Sequence, residues 1–277
     1  MRQNPFSLYD FMGYFIPGAT SIYLIQIVNT IKKSHCVDLD VILISFPVIK
    51  TEGILIFLIL SYVFGHLLSY VSSITIEKYA VWKYGYPSKY LLDINTNKYW
   101  TGAKRFHSIF WRISLIFILL PTVILDFILG HYFGFKIFYS SKLDPMLVKL
   151  IKMKINCLAE KIGMNSETGF QSGEANVSNF NRIILHYTYE NSKNHQSKLS
   201  NYVAIYGFLR TFTLITNVLF WYFIYHTLFY GVFDLKFYLT ITVISIISYI
   251  FFMSFMKFYR RYTLEGLMIL AIDKEIV

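Results

Sequence analysis

The sequence predicts an all-α, polytopic integral membrane protein with four or five transmembrane helices and a cytoplasmic helical insert. Of its 277 residues, 55% are hydrophobic and only 15% are charged, whereas soluble domains usually carry about a quarter charged residues. The clearest apolar stretch, 54–76, holds no charged residue and a single histidine, His66. It is long enough to cross a hydrocarbon core of roughly 30 Å at about 1.5 Å per residue.

The N-terminal membrane region, 1–135, holds three predicted spans. The first begins after Asp10, a residue that caps helices well, and closes with two lysines. Pro17 and Gly18 inside it predict a kink. After it comes the apolar run 41–48, which is too short to span and is expected at the interface. The three spans are predicted over 11–31, 52–76 and 113–135.

Two basic regions give conflicting indications of topology. The stretch 77–107 interleaves lysines with aromatic residues, as an interfacial belt does, and short basic loops favour the cytoplasm. The tail after Met256 has three cations within five residues and should be cytoplasmic too. Five complete spans would put these regions on opposite faces. Either the segment around Pro121 is a re-entrant or interfacial hairpin, or it crosses, as its length indicates, and 77–107 is external.

The region 136–200 is predicted to be a cytoplasmic helical insert. Asp144 followed by Pro145 is typical of a helix start, and Gly163 of its end. A second helix is predicted over 179–198. The remaining chain, 201–277, should form a membrane hairpin with a cytoplasmic tail, because the connector between its two spans is short. Those two spans are predicted over 211–230 and 237–256.

Small residues recur at every fourth position of the second span, at Ser61, Gly65, Ser69 and Ser73. Such a stripe lets another helix approach closely. The partner helix can belong to the same chain or to another copy, and the sequence does not distinguish these. We take the four positions as candidates for a helix seam or a pore lining.

Two ionisable residues inside the spans are further candidates. His66 is either part of an ion-lining path with Glu77 or a histidine hydrogen-bonded inside the bundle. Asp126 is the only acidic residue deep in an apolar run. A carboxylate there needs a partner, and the candidates are His66, His131 and Arg210. Arg210 can instead reach lipid headgroups from the start of its span.

The insert carries nine Lys and Arg residues against five acidic ones. Cations beside aromatic rings bind single-stranded nucleic acid or nucleotides, through phosphate contacts and base stacking. Solvated helix faces in contact with lipid are the alternative explanation. The anionic-ligand candidates are Lys149, Lys152, Lys154, Arg182, His186, Lys193 and Lys198.

Enzymatic chemistry has no support in the sequence. It contains no phosphate-binding Gly-rich loop with Lys and Ser or Thr, no His-Glu-x-x-His and no Gly-x-Ser-x-Gly. Cys36 and Cys157 are its only cysteines, too few for a four-cysteine zinc site. We therefore expect no catalytic residue, metal or cofactor.

Three stretches, 9–18, 65–73 running into Glu77, and 206–210, resemble a loosely defined group of bacterial multi-span proteins of unknown activity. Some of these look like membrane effectors of anti-phage defence systems. The nearest similarity is to the channel subunit of Hailong-type systems. That resemblance implies an oligomeric ion channel whose cytoplasmic portion binds a DNA oligomer. The matching stretches include no selectivity filter.

The expected function is an oligomeric ion channel or pore-forming effector of the bacterial inner membrane, in anti-phage defence, with a cytoplasmic C-terminus. It would be gated through the basic helical region by a nucleotide or oligonucleotide signal. The alternative is a non-catalytic membrane anchor or scaffold that recruits a soluble partner protein. Expected partners are therefore the lipid bilayer, further copies of the chain in a homo-oligomer, the signal and that soluble protein.

Overall fold

The computed structural model describes residues 8–34, 53–94, 99–163, 177–192, 195–231 and 234–276, and all regular elements among them are helices. The run 41–48 and Lys193 lie outside these ranges. Three helices are extended by π-helical turns, at Phe11–Phe15, Ser73–Glu77 and Asp126–Tyr132. After one turn of α-helix at Leu8–Asp10, the helices in chain order are α1 (Ile16–Ser34), α2 (Ile54–Ser72), α3 (Lys78–Tyr84), α4 (Pro87–Leu91), α5 (Phe106–Ile118), α6 (Leu120–Leu125), α7 (Ile137–Ser140), α8 (Pro145–Lys161), α9 (Val177–Asn191), α10 (Gln196–Tyr230) and α11 (Leu235–Ile272).

Four helical stretches are long and apolar enough to cross a membrane, in agreement with the predicted all-α fold. They contain the predicted spans 11–31, 211–230 and 237–256 and the part of 52–76 from Ile54 onward, but three of them extend far beyond the predicted limits. The 38 residues of α11 measure about 57 Å. Since the hydrocarbon core is roughly 30 Å thick, about half of α11 extends outside it.

The outer surface of α2 is apolar and exposed. Its outward side chains lie between 42% and 67% exposed, which water disfavours and lipid tails accept. This surface is what a membrane-embedded helix requires. The exposed apolar residues of α2 include Leu55, Ile56, Leu58, Ile59, Leu60, Val63 and Leu67.

Helices α10 and α11 pack along each other as the predicted antiparallel hairpin. Tyr206 contacts Tyr259 with ring centroids 5.2 Å apart, and near the connector Phe223 contacts Phe237 at 6.0 Å. Ring pairs that advance along one helix and recede along the other define an antiparallel pair. This hairpin forms the largest helix contact in the described structure.

The insert folds onto the end of α11. Apolar residues of α4, α8, α9 and α11 form one cluster, here called the terminal core, which includes Tyr90, Leu91, Ile151, Ile155, Leu158, Ile184, Leu267 and Leu270. The predicted start of α8 is confirmed, because the Asp144 side chain accepts a hydrogen bond from the Met146 amide. The second predicted helix ends at Asn191 rather than at residue 198. The chain turns at Ser192, since Asn and Ser hydrogen-bond locally and favour helix ends.

The segment predicted to be the third span is broken in its middle. Its halves, Phe106–Ile118 and Leu120–Tyr132, meet at an angle of 86°. Pro121 explains the break, because proline has no amide proton and its ring clashes with the carbonyl four residues earlier. Each half has 13 residues and measures about 20 Å, too short to cross alone.

Both ends of this broken segment lie at the same end of the bundle. Before it, Tyr99 donates a hydrogen bond of 2.9 Å to the carbonyl of Arg112, whose guanidinium stacks over Trp82. After it, the Leu143 amide donates to the carbonyl of Leu91 at 3.3 Å. The segment is therefore not one straight helix over 113–135. The segment is a re-entrant hairpin that descends to the middle of α10 and returns.

The re-entrant hairpin removes the topological conflict. Residues 78–94 contact the end of α11 through the terminal core, so the first basic region and the basic tail lie at one end of the molecule. Tyr9 lines a cavity together with Tyr262 of α11, so 8–10 lie toward this same end of the bundle. The described geometry thus follows the re-entrant alternative that the sequence left open.

Candidate functional site

A buried carboxylate is the centre of the re-entrant hairpin. Asp126 opens the π-helical turn of the returning half and is 0% exposed. Its Oδ1 accepts hydrogen bonds of 2.7 Å from the hydroxyls of both Tyr84 and Tyr139, and its Oδ2 accepts one of 3.3 Å from Tyr79. Lys83 forms an ion pair with the same Oδ2. We call these five residues the carboxylate cluster.

The cation at Asp126 differs from the expected ones. The sequence indicated His66, His131 or Arg210 as its partner, and this was wrong because α3 continues α2 beyond the predicted span and brings Lys83 to the hairpin. Lys83 is 25% exposed at its side chain, so one side of the ion pair reaches the surface. Buried charges are stable only when paired and hydrogen-bonded, as Asp126 is here.

A cavity of about 450 Å³ adjoins the carboxylate cluster at Lys83 and Tyr84. Its wall also includes His131, Lys136 and the ion pair between Lys142 and Asp93, whose charged atoms are 2.6 Å apart. Cationic residues therefore outnumber acidic ones among the described residues of this wall. The cavity gives solvent ions access to the neighbourhood of a charge pair that lies inside the helix bundle.

A second ion pair joins α10 to the end of α2. Arg210 pairs with Glu77 and donates from Nε to the Ser72 hydroxyl at 3.0 Å. It also donates from Nη2 to the carbonyl of Ser69 at 3.2 Å. The side chain is 11% exposed, so the expectation that Arg210 reaches lipid headgroups was wrong: Glu77 neutralises it inside the bundle.

Three polar side chains meet beside the first turn of α6, just after the break in the re-entrant hairpin. Thr122, Asn217 and Ser248 are all 0% exposed. The Asn217 amide donates to Thr122 at 2.9 Å and to Ser248 at 2.8 Å. These bonds tie the hairpin to α10 and α11 in the interior of the bundle, where a polar group without a hydrogen bond is costly.

The stripe of small residues on α2 packs against α1 of the same chain. A Cβ atom at Gly65 would lie 1.9 Å from the Tyr14 carbonyl oxygen, and one at Gly18 would lie 1.8 Å from that of Ser61. The predicted close approach is therefore present at Ser61 and Gly65. Further along the stripe, Ser69 binds Arg210, and Ser73 lies beside a second cavity.

His66 lies outside the bundle interior. Its side chain is exposed, and its ring stacks on that of Tyr14 with centroids 3.7 Å apart. The alternative of a histidine hydrogen-bonded inside the bundle was therefore wrong. The stacking adds to the contact between α1 and α2.

The anionic-ligand candidates divide into two groups. Lys154 donates to the carbonyl oxygens of Asp273 and Ile276, and Lys198 pairs with Glu265 at 2.7 Å, so both bind groups of the same chain. The others that the structure describes lie on the surfaces of α8 and α9, with three exposed and Lys152 half-buried. Those four are Lys149, Lys152, Arg182 and His186.

The insert is also fixed to the chain end by Tyr187. Its hydroxyl donates to Asp273 at 2.8 Å. Burial and this hydrogen bond raise the pKa of Tyr187 to about 12. The hydroxyl therefore stays protonated at neutral pH and remains a donor.

Sequence reasoning missed most of the carboxylate cluster. Tyr79, Lys83 and Tyr84 were assigned to an interfacial belt of lysines and aromatic residues. Lys83 and Tyr84 follow Tyr79 by four and five positions. On a helix that continued from the second span, this spacing would bring the three side chains close together, and this was the indication that the sequence offered. Nothing in the sequence indicated that Tyr139 binds Asp126, since only the return of the hairpin brings the two residues together.

Comparison with known proteins gives no match: no family model, curated protein or solved structure is similar to this chain.

Proposed function

We propose that the protein is an oligomeric ion channel or pore-forming effector of the bacterial inner membrane. The observation that carries this proposal is the re-entrant hairpin with an ion pair buried at its returning half. Broken helices at membrane depth occur where they are enclosed by protein or line a water-filled cavity. Ionisable groups there commonly mark ion pathways. The cavity beside Lys83 supplies the access that such a pathway needs.

The ion pair between Lys83 and Asp126 is the proposed gate. While the two charges are paired, Lys83 both lines the cavity and holds Asp126, which lies four residues beyond Thr122. Opening requires the pair to separate, with water or permeating ions replacing the lost partner. The apolar exteriors of α2 and α11 are the surfaces on which copies of the chain assemble.

Helix α11 is the proposed connection between signal and gate. It packs against α8 and α9 at one end and against the re-entrant hairpin further along. A nucleotide or oligonucleotide bound at the exposed cations of α8 and α9 can therefore displace the hairpin through one continuous helix. The excess of lysine and arginine at this end favours the cytoplasm, which gives a cytoplasmic C-terminus. A role in anti-phage defence rests on the resemblance noted above.

Asp126→Asn tests the gate. Removing the negative charge releases Lys83, so the variant should pass ions without any signal. The change in barrier should exceed about 1.4 kcal/mol, which is roughly tenfold in rate. Potassium and chloride flux from liposomes containing the purified protein, with and without oligonucleotides, measures this effect. Asp234→Asn, an exposed carboxylate at the opposite end, is the control. Flux no greater than from empty liposomes, for wild type and variant alike, would contradict the channel.

A membrane anchor that recruits a soluble protein is the second candidate. Its support is that Asp126 and Glu77 are both neutralised within the chain, as purely structural ion pairs are. The exposed side chains of α8 and α9 would then bind the partner. A stoichiometric protein partner together with an absence of ion flux would favour this function.

A further inference from the structure

A second cavity, of about 490 Å³, lies between the α2–α3 junction and α5. It is separate from the carboxylate cluster and from the anionic-ligand candidates of the insert. Three cations line it together with hydroxyl groups and aromatic rings. The one acid on its wall, Glu77, is paired with Arg210. The lining residues used here are Ser73, Lys78, Trp82, Lys89, Thr101 and Arg112.

Arg112 is the unusual member of this wall. It is only 6% exposed, and its guanidinium stacks over Trp82 at 4.8 Å and over Tyr99 at 5.7 Å. Its Nη2 donates to the Thr101 carbonyl at 3.2 Å. Its Nε and Nη1 are buried and have no hydrogen-bond partner among the described residues. A buried guanidinium stacked on two aromatic rings therefore lines this cavity and has two donors without a partner among the described residues.

Unused buried donors on a charged group are expensive, and native structures normally supply an acceptor. The described structure offers no carboxylate to Arg112. The neighbouring Lys78 is exposed and Lys89 lies on the same wall, so the local charge favours an anion. Guanidinium groups favour phosphate, whose several oxygens accept charge-assisted hydrogen bonds.

We propose that this cavity binds a phosphate-bearing anion through Arg112, with Lys78 and Lys89 beside it. The site lies where the apolar surface of α2 gives way to lysines and aromatic rings, which is the depth of lipid headgroups. An anionic phospholipid and a free phosphate share this chemistry. The proposal holds whether or not the protein conducts ions.

Two binding measurements on the purified full-length protein distinguish the sources. Nanodiscs of phosphatidylcholine with added phosphatidylglycerol, followed by native mass spectrometry, count the anionic lipid retained. Calorimetric titration with inorganic phosphate, in neutral detergent, measures binding of the free anion. Retention of phosphatidylglycerol alone assigns the site to lipid, and saturable binding of phosphate assigns it to a soluble anion. Binding of neither probe overturns the proposal.

Three variants test whether the probe binds in this cavity. Arg112→Gln should lower the affinity for the bound probe at least about tenfold, because the substitution removes both the positive charge and its hydrogen bonds to the anion. Lys78→Gln should lower this affinity about threefold. Because Lys78 is exposed, the variant should fold as wild type does, so it tests the site even if Arg112→Gln misfolds. Lys257→Gln removes an exposed lysine elsewhere and should bind as wild type does. Equal binding by wild type, Arg112→Gln and Lys78→Gln would overturn the assignment.

Discussion

Replacing Lys83 by methionine should lower the free energy of unfolding by about 3–5 kcal/mol, because it leaves a buried carboxylate without its cation. Asp126 is 0% exposed. The three tyrosine hydroxyls around it stabilise the charge but do not neutralise it. Denaturation of the purified protein in detergent, followed by circular dichroism, measures the loss.

Substitution of the other member of the ion pair should lower the free energy of unfolding by less. Asp126→Asn leaves Lys83, which is 25% exposed and can turn its ammonium group toward the cavity. The double variant Lys83→Met with Asp126→Asn removes both charges and should recover most of the stability lost with Lys83 alone. If Lys83→Met unfolds at the wild-type denaturant concentration, the pair contributes nothing and the assigned cluster is wrong.

Gly65→Leu should separate α1 from α2 and lower the free energy of unfolding by about 3 kcal/mol or more. A Cβ atom at this position would lie 1.9 Å from the Tyr14 carbonyl oxygen and 2.5 Å from its carbon. Both are backbone atoms, so no change of rotamer relieves the overlap. Thermal unfolding in detergent and the elution volume on size exclusion report the effect.

Gly207→Ala is the matched control for that substitution. Gly207 also lies inside a long helix, α10, but a Cβ atom there meets nothing within 4 Å. Alanine should therefore stabilise the helix by about 0.5–1 kcal/mol through its better helix propensity. Wild-type stability in Gly65→Leu would show that α1 does not pack on this face of α2.

The four candidate spans could be predicted from sequence because each contains a continuous apolar stretch of about 20 residues, long enough to cross the hydrocarbon core. Their true lengths could not. Residues 78–91 and 257–272 are polar enough to be taken for loops, yet they form the short helices α3 and α4 and the last part of α11, because tertiary contacts bury one face of each. Leu91, for example, is 0% exposed in the terminal core.

The re-entrant hairpin was one of two alternatives at the level of sequence. Pro121 and Asp126 both indicated a weak span, but the apolar length of the segment favoured crossing. What decides the matter is contact between distant residues, such as Leu143 with Leu91 and Trp221 with Ile118. Hydropathy contains no information on such pairings. For the same reason, the sequence identified Asp126 but assigned it the wrong cation.

The central claim is that residues 106–132 enter and leave at one end of the bundle, and cysteine labelling in cells tests it directly. With Cys36 and Cys157 replaced by serine, single cysteines are placed at Thr101, Lys142, Lys274 and Asp234. A membrane-impermeant maleimide should label the first three from the same side of the membrane and Asp234→Cys from the other. Labelling of Thr101→Cys and Lys142→Cys from opposite sides would show a complete span and contradict the account.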